Sequence, residues 1–224
     1  MESFDLLQYQ QRVGESIVEV CREQTSFDPV QVQLRFWAED AEKLLKQHPG
    51  DRSQIACGPG CCSCCVINVA ILLPEGFAIV RYLKQQEREH VAERLEDLWR
   101  QVRGLDDDER LFVQRSCAFL DEDGNCSVYP VRPLLCRSVT STCSNSCREA
   151  LNSKFLGEEK AVLMHQFQQG LYEGLFSGVA AGLEISGLDG RSYPLAGLVR
   201  YLLQDSEFET AWLEGHRLTW KDIY

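Results

Sequence analysis

Eleven of the 224 residues are cysteine, and ten of these fall between positions 57 and 147. They divide into a tight group (Cys57, Cys61, Cys62, Cys64, Cys65) and a spaced group (Cys117, Cys126, Cys136, Cys143, Cys147). A thiolate pair separated by two residues can grip one metal ion through a turn, with metal–sulfur bonds of about 2.3 Å. Cys61 with Cys64, and Cys62 with Cys65, have that spacing. A second pair usually comes from a distant segment, which the spaced group can supply. Soft sulfur donors select zinc or iron over magnesium or calcium. His48, His90, His165 and His216 lie outside both groups, which favours a site built wholly or almost wholly of thiolates. Four thiolates around a divalent ion leave a net negative charge, and Arg132 and Arg137, embedded among the cysteines, can offset it by charge-assisted hydrogen bonds. The alternative for these arginines is ordinary ion pairing with acidic loops.

Two other chemistries compete for the same thiols. A disulfide scaffold fits an oxidising compartment and a chain too small to build a core. The start Met1-Glu2-Ser3-Phe4-Asp5 is acidic, unlike an export signal, and the longest apolar stretch, Leu171 to Leu183, is too short to span a membrane and carries Glu173. A cytoplasmic protein is therefore expected, and an odd cysteine count suits full pairing poorly. A thiol redox enzyme has its Cys-x-x-Cys here, but no βαβ pattern surrounds it. Cys21, beside Val20, reads as a small buried hydrophobe. The formal net charge of −11, with no basic tract, argues against nucleic acid or an anionic membrane surface as partner.

The elements that must position these thiols read as mainly helical. Leu6, Val13, Ile17 and Val20 recur at helical spacing, as do Val30, Leu34, Trp37, Ala41, Leu44 and Leu45, which predicts an N-terminal helical pair within residues 1–50. Asp28-Pro29 starts the second helix and His48-Pro49-Gly50 stops it. Residues 51–147 form a cysteine-rich insert, irregular around Gly58-Pro59-Gly60 and interrupted by two helices, one opening at Pro74-Glu75 and one from about Glu87 to Arg103. Glu75 reads as a helix N-terminal charge, with a supporting role at the site or general-base chemistry as the other options. The acidic runs Asp106-Asp107-Asp108-Glu109 and Asp121-Glu122-Asp123 read as solvated loops. The segment Cys117 to Tyr129, around Asp123-Gly124, predicts a short β-hairpin that brings Cys117 and Cys126 together. Residues 148–224 are helical again: a long helix over about 158–183, then two short ones near 194–204 and 206–214. The long helix carries Gly170, Gly174, Gly178 and Gly182 at four-residue intervals. Each costs about 1 kcal/mol in a helix interior, so a close-packed neighbour, or a ligand groove, must compensate. Residues 1–224 are expected to form a single domain of mainly α class.

Cys57-x-x-x-Cys61-x-x-Cys64-Cys65, Cys117-x-Phe119-Leu120, Gly124-x-Cys126-Ser127-Val128-Tyr129 and Arg132-Pro133-x-x-Cys136-Arg137, in that order, resemble the YkgJ-like (CxxCxxCC) family of zinc- or iron-chelating proteins. The resemblance implies that Cys57, Cys61, Cys64, Cys65, Cys117, Cys126 and Cys136 are the metal ligands. Cys62 falls outside the shared pattern, and Cys143 and Cys147 lie beyond its best-matched block, so these three rank second. Seven to ten thiols exceed what one tetrahedral zinc uses, which favours an iron–sulfur cluster or two separate sites and leans slightly toward iron–sulfur over zinc. Three functions remain open. One is a metal-binding module. Another is an iron–sulfur-dependent enzyme that modifies another protein, by distant analogy with flagellin lysine-N-methylase. The third is a helical adaptor for a protein partner, with purely structural zinc. The sequence assigns no catalytic residue.

Overall fold

The computed structural model describes residues 4–22, 26–47, 52–88 and 90–223; Met1 to Ser3 and the predicted stop at His48-Pro49-Gly50 lie outside them. The fold is mainly helical, with one two-stranded antiparallel sheet. Helix α1 (Leu6–Cys21) begins at Asp5, whose Oδ1 accepts from Leu7 N and Gln8 N, both at 3.0 Å. Helix α2 (Asp28–Gln47) carries the predicted apolar stripe: Val30, Leu34, Trp37, Ala41 and Leu45 are buried. Trp37 joins the two helices, its Nε1 donating to Ser16 Oγ at 2.6 Å and its ring meeting Tyr9 edge-on.

The main partner of α1, however, is the long C-terminal helix α8 (Gln166–Ile185). The glycine stripe makes this possible. A Cβ built on Gly178 would stand 2.6 Å from Gln10 O, and one on Gly182 would stand 2.6 Å from Gly14 O and 2.7 Å from Ile17 Cβ. The two backbones touch where any side chain would separate them, so dispersion contact along the seam offsets the propensity cost. No ligand groove remains there. Helix α8 starts at Gln166, later than the sequence indicates, because residues 155–165 run irregularly until His165 Nδ1 accepts from Gln168 N at 3.1 Å and caps it.

The cysteine region is fastened to this scaffold at several points. Strand β1 (Ala70–Leu72) pairs with β2 (Ser192–Pro194), Ile71 opposite Tyr193. Helix α3 (Leu73–Gln85) leaves β1 directly and packs on α9 (Leu195–Gln204), as does α4 (Val91–Val102). Phe27, Phe77 and Trp212, the last on α10 (Phe208–Leu213), form an aromatic cluster in the core. A short α11 (Trp220–Ile223) ends the described chain against α9. No helix among the described residues is long and apolar enough to cross a membrane.

Two local expectations are corrected. Asp106-Asp107-Asp108-Glu109 is no loop: Asp106 caps α5 (Asp107–Val113), its Oδ1 accepting from Glu109 N while Glu109 Oε2 accepts from Asp106 N. Three carboxylates in the first turn favour the positive end of that helix. The hairpin at Cys117 to Tyr129 shrinks to one antiparallel bridge, Leu120 to Cys126. Asp121 Oδ1 accepts from both Asp123 N and Asn125 N, so a side chain closes this loop where a ladder was expected.

Candidate metal centre

The first cysteine group is shaped by a turn. Cys61 N donates to Gly58 O at 3.0 Å, and Gly60 takes a left-handed φ of 77°. Gly60 N then donates to Asn125 Oδ1 at 2.8 Å, which docks the Asp121–Asn125 loop onto the first cysteine loop. Gly124, also left-handed, sits where a Cβ would lie 3.3 Å from Gly60 O. A 3-10 turn over Ser63–Val66 presents Cys64 and Cys65, and Cys65 O accepts from Cys117 N at 2.8 Å. Cys57 is tied at the other end: its Sγ accepts from Ser141 N at 3.2 Å, and Ala56 N donates to Ser141 O at 2.8 Å. Cys136 rides on a short helix, α6 (Leu134–Ser138).

Glu75 holds two of these segments in place. Its Oε2 accepts from Leu72 N at 2.9 Å, and its Oε1 accepts from Leu134 N at 2.8 Å. One buried carboxyl therefore caps both α3 and the helix that carries Cys136. Burial pushes its pKa up to about 7, against the pull of those two donors and of Arg137. The N-terminal reading of Glu75 was right for α3 and missed its second helix, because Leu134 is 59 residues away.

The seven cysteines named from the family resemblance all line one cavity of about 780 Å³. Cys62, Cys143 and Cys147 are not on its wall. Cys143 is exposed just before α7 (Ser144–Lys154), and hydrogen bonds from Ser146 and Asn145 hold its thiol below the usual range. Cys147 lies on α7, which packs against the Ser63–Val66 turn. All eleven cysteines are free thiols, and Cys21 is half-buried against the core. Among the described residues, no three side chains of cysteine, histidine, aspartate or glutamate close on a single ion-sized point.

The thiols are electrostatically unequal. Cys65 donates to Cys64, which brings the Cys64 thiol down to about 6 against the effect of burial, with help from Arg132; the same bond and burial push Cys65 up. Burial pushes Cys117 up to about 11 and Cys136 up to about 12, and it also raises Cys126. Arg132 sits among these groups. Burial disfavours its charge, but Cys136, Cys64, Cys126 and Cys65 outweigh that and hold its pKa up. Arg137 is used differently: its Nε donates to Arg132 O at 2.9 Å and its Nη2 donates to Tyr129 O at 3.4 Å, so it braces the backbone that presents Arg132. Arg110, which lines the cavity from α5, was not identified from the sequence. Nothing in its spacing marks it.

A helical protein whose loops gather soft sulfur donors around a half-buried cation has the make-up of a metal-chelating protein. Residues 56–162, slightly under half of the chain, match the CxxCxxCC family model, described as a "putative zinc- or iron-chelating domain". Comparison with curated proteins and with solved structures returned no match. The family match supports a metal ion as the partner of this region.

Proposed function

We propose that this protein holds an iron–sulfur cluster, or failing that zinc, on the thiols of Cys57, Cys61, Cys64, Cys65, Cys117, Cys126 and Cys136. The observation that carries the reading is their convergence on one cavity from separate segments, with Arg132 among them. The donor set fits: it is all sulfur, and its excess charge has the half-buried Arg132 nearby. The lean toward iron–sulfur rests on the number of thiols and on their spread. A single tetrahedral zinc uses four donors, whereas seven thiols line this cavity. A multi-atom cluster holds its ligands farther apart. When bound, such a cluster supplies one-electron chemistry, whereas zinc supplies a cross-link.

The chain's own part is to deliver thiolates. Cys64 ionises most readily, so it is the natural first ligand. Burial raises the Cys117, Cys126 and Cys136 thiols, so metal uptake on them releases protons. The test is anaerobic purification with metal analysis and an absorption spectrum. A brown protein with broad visible absorption supports the cluster, and a colourless one with stoichiometric zinc sinks it. Cys126→Ser and Cys136→Ser should lower metal content, while Cys62→Ser and Cys143→Ser should leave it unchanged.

One observation favours an enzymatic version of this reading. A cavity of about 780 Å³, partly walled by Leu98, Trp99 and Val102 of α4, lies in the size range of pockets that hold organic ligands. A Cys126→Ser chain that stays folded but loses a cellular phenotype would support active chemistry; one that unfolds completely would favour a structural metal.

A further inference from the structure

Among the described residues, three charged side chains are deeply buried: Glu75, Asp189 and Arg110. Both carboxylates are saturated with donors. Arg110 is different. It is only 3% exposed, its Nη2 donates to Arg115 O, and its Nη1 has no partner among the described residues. No carboxylate pairs with it among the described residues. An uncompensated buried charge is among the costliest features a fold can carry. Leucine or methionine would fill the same space without that cost. The guanidinium is therefore matched to an anion.

The place of Arg110 identifies that anion. It lines the same cavity as the seven cysteines and sits on the helix that leads to Cys117, one of them. Once metal replaces the thiol protons, four thiolates around a divalent ion leave two negative charges in excess.

We propose that Arg110 is a built-in counter-ion of the metal-bound thiolates and, with Arg132, brings the loaded centre to neutrality. This rests on the metal-binding reading above. Arg110 need not touch the metal or a sulfur, because in a low-dielectric interior a charge acts over several ångströms. Its role is to make the loaded state more stable relative to the empty one, so the two states respond differently to its removal.

The experiment uses the full chain, stripped of metal anaerobically and then titrated with zinc(II) alone, for wild type, Arg110→Met and Arg110→Lys. Two quantities are read: zinc affinity by competition with a chromophoric chelator, and the rise in Tm on zinc loading. Arg110→Met should bind zinc about tenfold or more weakly and show a smaller zinc-linked rise, whatever its metal-free Tm. Arg110→Lys, which keeps the charge, should recover most of both. If zinc affinity and the Tm rise in Arg110→Met equal those of wild type, Arg110 is only structural and the proposal is overturned. If Arg110→Lys is as impaired as Arg110→Met, shape matters in place of charge and the proposal is likewise overturned. A wild-type chain that takes up no zinc and purifies without iron overturns the metal-binding reading itself, a failure distinct from the other two.

Discussion

Near the C-terminus, Asp189 is fully buried, and its oxygens accept from Arg191 Nε and Nη2 at 2.8 Å, Tyr193 Oη at 2.7 Å and Leu218 N at 3.1 Å. In the cysteine region Arg110 is buried almost as deeply, yet one of its nitrogens has no partner among the described residues. Burial alone would lift the Asp189 pKa, but the bonds from Arg191 and Tyr193 win and keep it ionised below its usual range. The region around Asp189 is complete as the chain folds. The region around Arg110 is complete only when something negative joins it. The difference separates a scaffold that the sequence finishes by itself from a site that it leaves open for a ligand.

The most severe way to break this contrast is to make the finished region unfinished. Asp189→Ala leaves Leu218 N and Tyr193 Oη without their buried acceptor. It should cost about 3–5 kcal/mol of unfolding free energy, measured by chemical denaturation, with or without metal. A loss below about 1 kcal/mol would mean that Asp189 is no keystone.

Glu75 stands on the border between the two regions and should reveal itself through pH. Its pKa in the folded protein is raised from 4.5 to about 7 by burial. Below about 4.5 the carboxyl is protonated in both folded and unfolded chains, and its contribution to stability is fully present. As pH rises toward 7 the unfolded chain releases its proton first, so stability falls, by about 3 kcal/mol in all, and then levels off. Glu75→Gln cannot titrate. Its stability should therefore rise relative to wild type across pH 4.5–7, and a constant difference over that window would refute the assignment. The variant should also cost roughly 1–3 kcal/mol at low pH, because its amide group turns a donor toward either Leu72 N or Leu134 N.

The two regions also differ in how legible they were. Helices α1 and α2 follow from apolar spacing, and the Gly170–Gly182 stripe announced a close helix contact, though not that α1 would supply it. The seven thiols that share the cavity were named from the family resemblance, whose motifs are local and chemically distinctive. What escaped was set by distance. The pairing of Ile71 with Tyr193 joins segments more than a hundred residues apart through strands only three residues long, too short for an alternating pattern to appear. Arg110 looks like any arginine on an acidic helix until folding buries it. The cap of α5 is a different kind of miss: Asp106 and Glu109 have capping-box spacing, and the charge run drew the eye away from it.

Capping gives the finest test, because the same chemical change can be made once in each region. Asp5→Ala removes the cap of α1, and Asp106→Ala removes that of α5. Each should cost about 1 kcal/mol locally. Helix α1 is clamped against α8 backbone to backbone, so its loss should appear in the global unfolding midpoint and be indifferent to metal. Helix α5 is only seven residues long and carries Arg110. Its loss should appear as about fivefold lower hydrogen-exchange protection of its own amides in the metal-free chain, with little change in global stability. Zinc loading should restore part of that protection, because the charged centre then holds Arg110 from the other side. If the two caps behave alike in both measurements, α5 belongs to the scaffold, and the open region shrinks to the cysteine loops alone.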